Sequence, residues 1–425
     1  MTTPTALTHC RICGNADLVL VLDLGQQMLT GVFPRTRDTD VTIGPLQLVK
    51  CMGAAACGLL QLAHSYDAGE MYGENYGYRS GLNSSMVAHL REKVSRLQQR
   101  LALRPGDLVV DIGSNDGTTL AAYPDDAGLD LLGIDPTAEK FREYYKSGIH
   151  LCAAFFSADT FRRVRPGKSI RILTSFSMFY DLEAPMEFMR DVHNVLADDG
   201  LWVFEQSYMP AMLAKLSYDT VCHEHLEYYA LRQVKWMTDR TGFTIVDVEF
   251  NEVNGGSFSV TVAKTASDQV ESREVVGIIT AETAAGLDTL KPFSEFAQRA
   301  AASRAEFRAF IDGVHAAGGR IAALGASTKG NVLLQYCNIS PEDIKEVGEV
   351  NPEKFGALTP GTWLPIRAEA EVLADRFEFL VVLPWHFRPH FLQNPAYAGR
   401  KLVFPLPALE VIQAGRHDES VQHDE

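Results

Sequence analysis

The sequence predicts an α/β protein: a central Rossmann-like domain, a small cysteine-bearing domain before it and a smaller Rossmann-like α/β domain after it. Three observations predict this. Four of the seven cysteines fall within the first 57 residues. A buried-strand pattern at Leu108-Val-Val-Asp-Ile runs into a glycine turn, and further strand and helix patterns alternate after it. The strand, glycine turn, helix order then recurs at Gly319–Asn331. A length of 425 residues fits two or three domains of ~150 residues each.

The cysteines come as Cys10-x2-Cys13 and Cys51-x5-Cys57, with strand-like runs at 18–24 and 58–63. Two thiolate pairs brought together by a small sheet make a tetrahedral sulfur cage, so a structural zinc is expected on Cys10, Cys13, Cys51 and Cys57. The wide second pair leaves four reduced core cysteines as the alternative. Apolar residues at helical spacing (Met86, Val87, Leu90, Val94, Leu97, Leu101) predict a helix over 84–102, ended by Arg104-Pro-Gly.

After the Leu108 strand, further strands are expected at 131–135, 170–174 and 201–205. Residues 280–318 read as one or two exposed helices, and two more strands as 346–350 and 377–382. The expected boundaries are 1–75, 76–280 and 281–412, with a flexible tail over 413–425.

Composition bounds the function. The chain is 46% hydrophobic and 22% charged, as a soluble globular protein is. Thirty-nine basic against 54 acidic residues give −15, which argues against a broad basic surface for nucleic acid. No apolar run reaches the ~20 residues that span a bilayer, and the first residues lack an export signal's pattern. No membrane association and a cytoplasmic setting are the expectations, with a monomer or weak dimer.

The first glycine turn spaces its glycines Gly113-x3-Gly117, two residues after Asp111, and so lacks the G-x-G-x-x-G dinucleotide spacing. It suits S-adenosylmethionine. Gly113 lets the backbone approach the methionine portion, Asp111 and Asn115 meet its charged ends, and Asp116 lies within the turn. Asp135, ending the next strand, offers paired acceptors to a ribose. A nicotinamide enzyme is the competing reading. The second turn, Gly325 to Gly330, is no Walker loop, yet a helix opening with Lys329 suits a phosphate.

The segment from Asp219 to Tyr229 gathers His223, Glu224 and His225 within a few residues. Without H-E-x-x-H spacing a metal is a poor fit, and proton transfer is the expected role, His225 being oriented by Glu224. On a helix, the two histidines would face different ways. Tyr76 lies in an aromatic, glycine-rich linker, suited to capping a cleft between domains.

Together the cysteine knuckle, Asp111-x-Gly113-x3-Gly117, Asp219…Glu224-His225, Gly255-Gly256-Ser257, Gly325-Ala…Lys329 and Asn351-Pro-Glu-Lys354…Thr359-Pro-Gly361 resemble the three-domain sugar C-methyltransferases, over residues 8–412. The resemblance implies S-adenosylmethionine-dependent methylation of a nucleotide-linked keto-sugar, typically at C-3 beside a C-4 ketone. It implies active-site roles for Tyr76, Glu224 and His225. It also implies a nucleotide-sugar site in the C-terminal domain, with Lys329 and Lys354 on the diphosphate and Trp385 and His386 lining the cleft. Four positions depart from the family. Cys222 stands where a tyrosine is usual, Ser177 and Asp181 stand where asparagine and histidine are, and Asn254 replaces a common histidine. Ser177 is then expected beside the cofactor, Asp181 as the rival base to His225, and His223 or Tyr76 as the donor to an oxyanion. The departures keep two other readings open: an O-methyltransferase and a non-catalytic nucleotide-sugar-binding homologue.

Overall fold

The computed structural model describes residues 3–72 and 79–415. At the N-terminus, β1 (Thr5–Ala6) pairs with β5 (His64–Ser65), while β2 (Leu18–Met28), β3 (Ile43–Cys51) and β4 (Leu60–Leu62) form an antiparallel sheet. β3 ends on Cys51 itself, and the turns between strands carry the other three cysteines. The helix Ser84–Arg100 comes next, capped by the Asn83 side chain on the Ser85 and Met86 amides. It buries Leu90, Val94 and Leu97, one turn apart in turn, as an amphipathic face must.

The central sheet contains β6 (Leu108–Ile112), β7 (Asp130–Ile134), β8 (Ile149–Cys152), β9 (Ile170–Phe176) and β10 (Leu196–Ser207). These five run parallel. Every residue of β6 is buried, which is why it reads as an unbroken apolar run rather than an alternation. β11 (Glu227–Tyr228) leaves this domain and pairs with β4, so the segment before it is carried to the N-terminal sheet. β12 (Phe243–Asn251) and the reversed β13 (Ser257–Lys264) complete seven strands in the order β12-β13-β10-β9-β6-β7-β8. Strand order reverses between β6 and β9, and the glycine turn emerges there. The expected helix after that turn is absent: residues 118–129 hold only the short 3-10 turns Leu120–Ala122 and Asp125–Ala127.

The helices Glu274–Ala284 and Lys291–Ala316 lead to the third sheet. Expected to be exposed, the longer one instead buries Phe293, Phe296, Phe307 and Ile311. The low contrast of its Ala-rich sequence hid that face. β14 (Ile321–Leu324), β15 (Val347–Glu349), β16 (Ile366–Ala368), β17 (Phe379–Val382) and β18 (Lys401–Phe404) are parallel, and β19 (Glu410–Gln413) is antiparallel. Their order, β16-β15-β14-β17-β18-β19, reverses between β14 and β17, where Gly325 and Trp385 emerge. The ordered chain passes the expected boundary at 412. Gln413 is in β19, and Ala414, 2% exposed, accepts the Gly399 amide. Among the described residues no helix is long and apolar enough to cross a membrane.

Candidate active site

Four sulfurs make the first site. Cys10 and Cys57 Sγ lie 3.5 Å apart, as do Cys13 and Cys51, and all four lie within 4.8 Å of one another. A tetrahedron of sulfurs about 2.3 Å from zinc has edges of about 3.8 Å, so the set fits that ion with no open position. Asn15 donates to Cys51 Sγ at 3.4 Å, and the buried Lys50 lies in the field of Cys51 and Cys57. A cation there offsets part of the negative charge of a four-thiolate cage.

The second site is the crevice above β6, β7 and β9. Three residues with positive φ gather in it: Gly113 (71°), Asn115 (49°) and Ser177 (54°). Two of these are not glycine, and such strain collects at ligand sites. A Cβ on Gly113 would meet the Met178 side chain at 3.0 Å. Asp135 is held in place by the Asn115 amide at 2.8 Å and by the amide and hydroxyl of Thr137 at 2.6 and 2.7 Å. Asp111 points inward, accepting from the Thr174 hydroxyl at 2.6 Å, and burial pushes it up to about 7. It shapes the turn from behind. Asp116 accepts the Gly81 amide at 2.8 Å, while Asn115 accepts the Ser80 amide at 3.0 Å, so residues 79–82 are pinned over the turn. An acid-lined crevice with a cradle at Gly113 fits S-adenosylmethionine, whose sulfonium and ammonium are cationic. Tyr76, expected to cap a cleft between domains, lies outside the described residues.

The third site is built where the three sheets meet. Residues 221–226 form a loop, not a helix, between the 3-10 turn Tyr218–Thr220 and β11. His225 Nδ1 bonds the Thr220 carbonyl at 2.9 Å. A carbonyl only accepts, so Nδ1 carries the hydrogen and Nε2 is left as the acceptor. Burial, then the nearby Lys329 charge, lowers His225 to about 3. Glu224 does not orient it. Its carboxylate faces Gly31, whose added Cβ would lie 1.9 Å from Oε1, and the charge of Lys354. Burial pushes Glu224 up to about 7.

Exposure separates the cluster into wall and interior. Glu224, His225, Lys329, Lys354 and His386 keep partial exposure, whereas Asp219, Cys222 and His223 are 1%, 0% and 1% exposed. His223 lies in the interior, and its Nε2 has no partner among the described residues. It faces the amide and hydroxyl of Thr30, each 3.4 Å from Nδ1, and packs edge-on against Tyr66. Asp219 accepts from Trp385 Nε1 at 2.8 Å. Trp385 is thus part of the frame, 8% exposed, while His386 beside it reaches the cleft. Asp181 lies beyond its ordinary range, raised by burial and by the neighbouring Glu224, with the Tyr72 hydroxyl beside it.

Two contacts escaped the sequence. Residues 28–35 of the N-terminal domain bridge to the C-terminal domain: Gln335 exchanges bonds with Met28, Asn331 donates to the Thr30 carbonyl at 2.8 Å, and Arg35 donates to the Phe355 and Glu353 carbonyls. Arg11, inside the cysteine knuckle, reaches the Leu62 carbonyl at 2.8 Å and Glu227 at 3.8 Å. Both rest on backbone acceptors and long-range neighbours, which no spacing rule marks.

Three family models match in order: a putative zinc-binding domain over 10–72, a methyltransferase domain over 86–248 and a C-methyltransferase C-terminal domain over 252–407. The C-methyltransferase NovU of Streptomyces niveus is 28% identical over 414 residues, covering 96% of this chain and 97% of the relative. Among solved structures, the complex between the Haloferax volcanii Trm112 methyltransferase activator and a putative methyltransferase has a matching chain. Its TM-score is 0.36 at 14% identity, over 43% of this chain and 94% of that one. The plantazolicin methyltransferase BpumL with SAH matches at TM-score 0.33 and 13% identity, over 41% and 82%.

Proposed function

This chain belongs to the three-domain, S-adenosylmethionine-dependent C-methyltransferases, and from that premise we propose that its acceptor is a nucleotide-linked keto-deoxysugar methylated on the carbon beside its ketone. Membership supports methyl transfer to carbon over the O-methyl, nicotinamide and non-catalytic readings. The observation that carries the acceptor class is the tautomer of His225: an acceptor nitrogen on a partly exposed ring, fixed by the Thr220 carbonyl.

S-adenosylmethionine, which the Gly113 cradle and Asp135 would hold, would supply an electrophilic methyl. An unactivated carbon is no nucleophile, so a base must first remove a proton from it, and a ketone alongside is what makes that proton removable. His225 takes the proton on Nε2. Asp181, behind Tyr72, is the rival base. The C-terminal cleft holds the nucleotide. Lys354 donates to the Ala326 carbonyl at 2.8 Å beside the amino end of the helix Thr328–Tyr336, a place suited to a diphosphate. The reaction needs chiefly placement of donor and acceptor.

Proton NMR in D2O with a panel of nucleotide 4-keto-6-deoxy sugars tests this. The signal beside the ketone should wash out without S-adenosylmethionine, and a methyl on carbon should appear with it. No exchange and no methylation across the panel would overturn the acceptor class.

A further inference from the structure

Lys329 opens the helix Thr328–Tyr336, and its sequence setting suggested a phosphate. Its Nζ turns instead to the Asn254 carbonyl, 3.1 Å away, in the strained turn before β13. An ammonium carries three donors, and this is the one hydrogen bond it makes to described residues, so two N–H groups have no partner among them. The residue keeps partial exposure, and burial holds its ammonium below the ordinary range while the nearby Asp219 opposes that shift.

Its neighbours are those of the proton-transfer cluster. Asp219, Cys222, His225 and His386 all lie within its field. Asp219 Oδ1 and His386 Nδ1 are buried without a partner among the described residues. Lys354 occupies a different part of the cleft, over the Phe33 ring at 4.5 Å and near Glu224 and Glu349. The two lysines therefore serve different places. A diphosphate at Lys329 would be forced against the sealed carboxyl of Asp219, held by Trp385. A single oxygen that gains charge only as a bond breaks is not penalised before that moment.

We propose that Lys329 is a catalytic residue, whose free N–H groups donate to the ketone oxygen of the acceptor and hold the negative charge that forms there. This rests on the keto-sugar reading. The C–H proton passes to His225 Nε2, the C–H electron pair becomes the carbon–carbon double bond, and the carbonyl π pair moves to the oxygen at Lys329. When the carbon takes the methyl, the S–CH3 pair stays on sulfur, the carbonyl re-forms and the proton leaves His225 for solvent. His225 is a weak base in its buried setting, so the proton moves only if the oxygen's charge is met at once.

Lys329→Met and the wild-type enzyme are compared on two readouts. One is deuterium exchange beside the ketone without S-adenosylmethionine; the other is calorimetric affinity for the nucleoside diphosphate alone and for S-adenosylmethionine. Exchange should fall by about 100-fold, with both affinities within about twofold of wild type. Exchange at the wild-type rate overturns the proposal. So does a tenfold weaker nucleoside diphosphate with methyl transfer retained, which makes Lys329 a phosphate contact. Wild-type enzyme that exchanges with none of the keto-sugars overturns the acceptor reading and this proposal with it. If the Met variant does not fold, Lys329→Gln is read the same way.

Discussion

The two glycine turns look alike in sequence and open into different backbone. Gly113–Gly117 leads into 3-10 turns, with Asp111, Asp116 and Asp135 buried around it. Gly325 leads into the helix Thr328–Tyr336, capped by the Ser327 hydroxyl on the Gly330 amide, with Lys329 and Lys354 at hand. A helix amino end carries about half a positive charge, which opposes a sulfonium and attracts a phosphate or oxyanion. The missing helix after the first turn is therefore consistent with its ligand, and the present helix after the second with an anion. Sheet topology makes both crevices, and local charge assigns them.

His225 joins the two. Its ring lies 4.4 Å from that of Tyr180, just past the first crevice, and within the field of Lys329 at the second. The comparison breaks most severely there. His225→Ala should lower turnover by about 1,000-fold with S-adenosylmethionine affinity unchanged by calorimetry. The pH profile separates the two bases. His225 is already neutral well above its value of about 3, so its protonation removes no activity between about pH 8 and 5. An acid limb in that window that vanishes in Asp181→Asn would move the base to Asp181, whose carboxyl is pushed up. The effect on stability has a definite sign. The unfolded chain's histidine titrates near 6.5, so between that and about 3 the unfolded state binds the extra proton. His225's share of stability is whole above about pH 6.5 and is lost as pH falls toward 3. His225→Gln should flatten that part of a melting-temperature series.

Away from both crevices, Cys10→Ser should release a stoichiometric zinc, read by atomic emission, and lower the melting temperature by about 10 °C or more. Arg11 extends from the same knuckle to Glu227, so the loss should also cost activity. A variant that keeps its metal and its melting curve would reduce the cage to four core cysteines.

Strong periodicity was legible. The buried run of β6, the helix at 84–100 and the cysteine spacing each carry their structure in neighbouring residues. The clustering of acid and imidazole at 219–225 singled out this loop, because chemistry-bearing side chains are dense there. The use that loop makes of them was not legible. Whether His225 leans on Glu224 or on a backbone carbonyl depends on a turn closed by β11 joining a sheet built far earlier in the chain, as Glu227 pairs with Gln61 and Tyr228 with Leu60. Likewise nothing local distinguishes Lys329 from Lys354, since each is a lysine beside a glycine turn. Which one faces Asp219 is decided by Asn254, from another domain.

Gly113→Ala and Gly325→Ala sharpen the comparison at moderate size. Both glycines hold positive φ, near 71° and 79°, which costs any other residue roughly 1–2 kcal/mol. At Gly113 the added carbon meets the flexible Met178 within the cofactor crevice, so S-adenosylmethionine should bind about tenfold more weakly with the fold intact. At Gly325 it meets Pro384 at 2.7 Å, a ring that cannot rotate away, so melting temperature should fall while S-adenosylmethionine binding does not. Equal effects on that affinity would mean the turns are not divided as argued.

The smallest effect is expected at Gly31, which has no special backbone conformation and matters only through its neighbour. Alanine there puts a carbon 1.9 Å from Glu224 Oε1 and 3.7 Å from the Thr328 hydroxyl. The carboxylate ends a flexible side chain, so it swings aside at little cost to the fold. Its new position lies nearer or farther from Lys354, and either changes the charge that the anion side of the cleft presents. Gly31→Ala should therefore raise the KM for the proposed nucleotide-sugar acceptor a few-fold, leave kcat within about twofold and leave S-adenosylmethionine affinity unchanged. A matching drop in kcat would place Glu224 in the proton-transfer step with His225, and the cleft would then have one functional end where the two lysines indicate two.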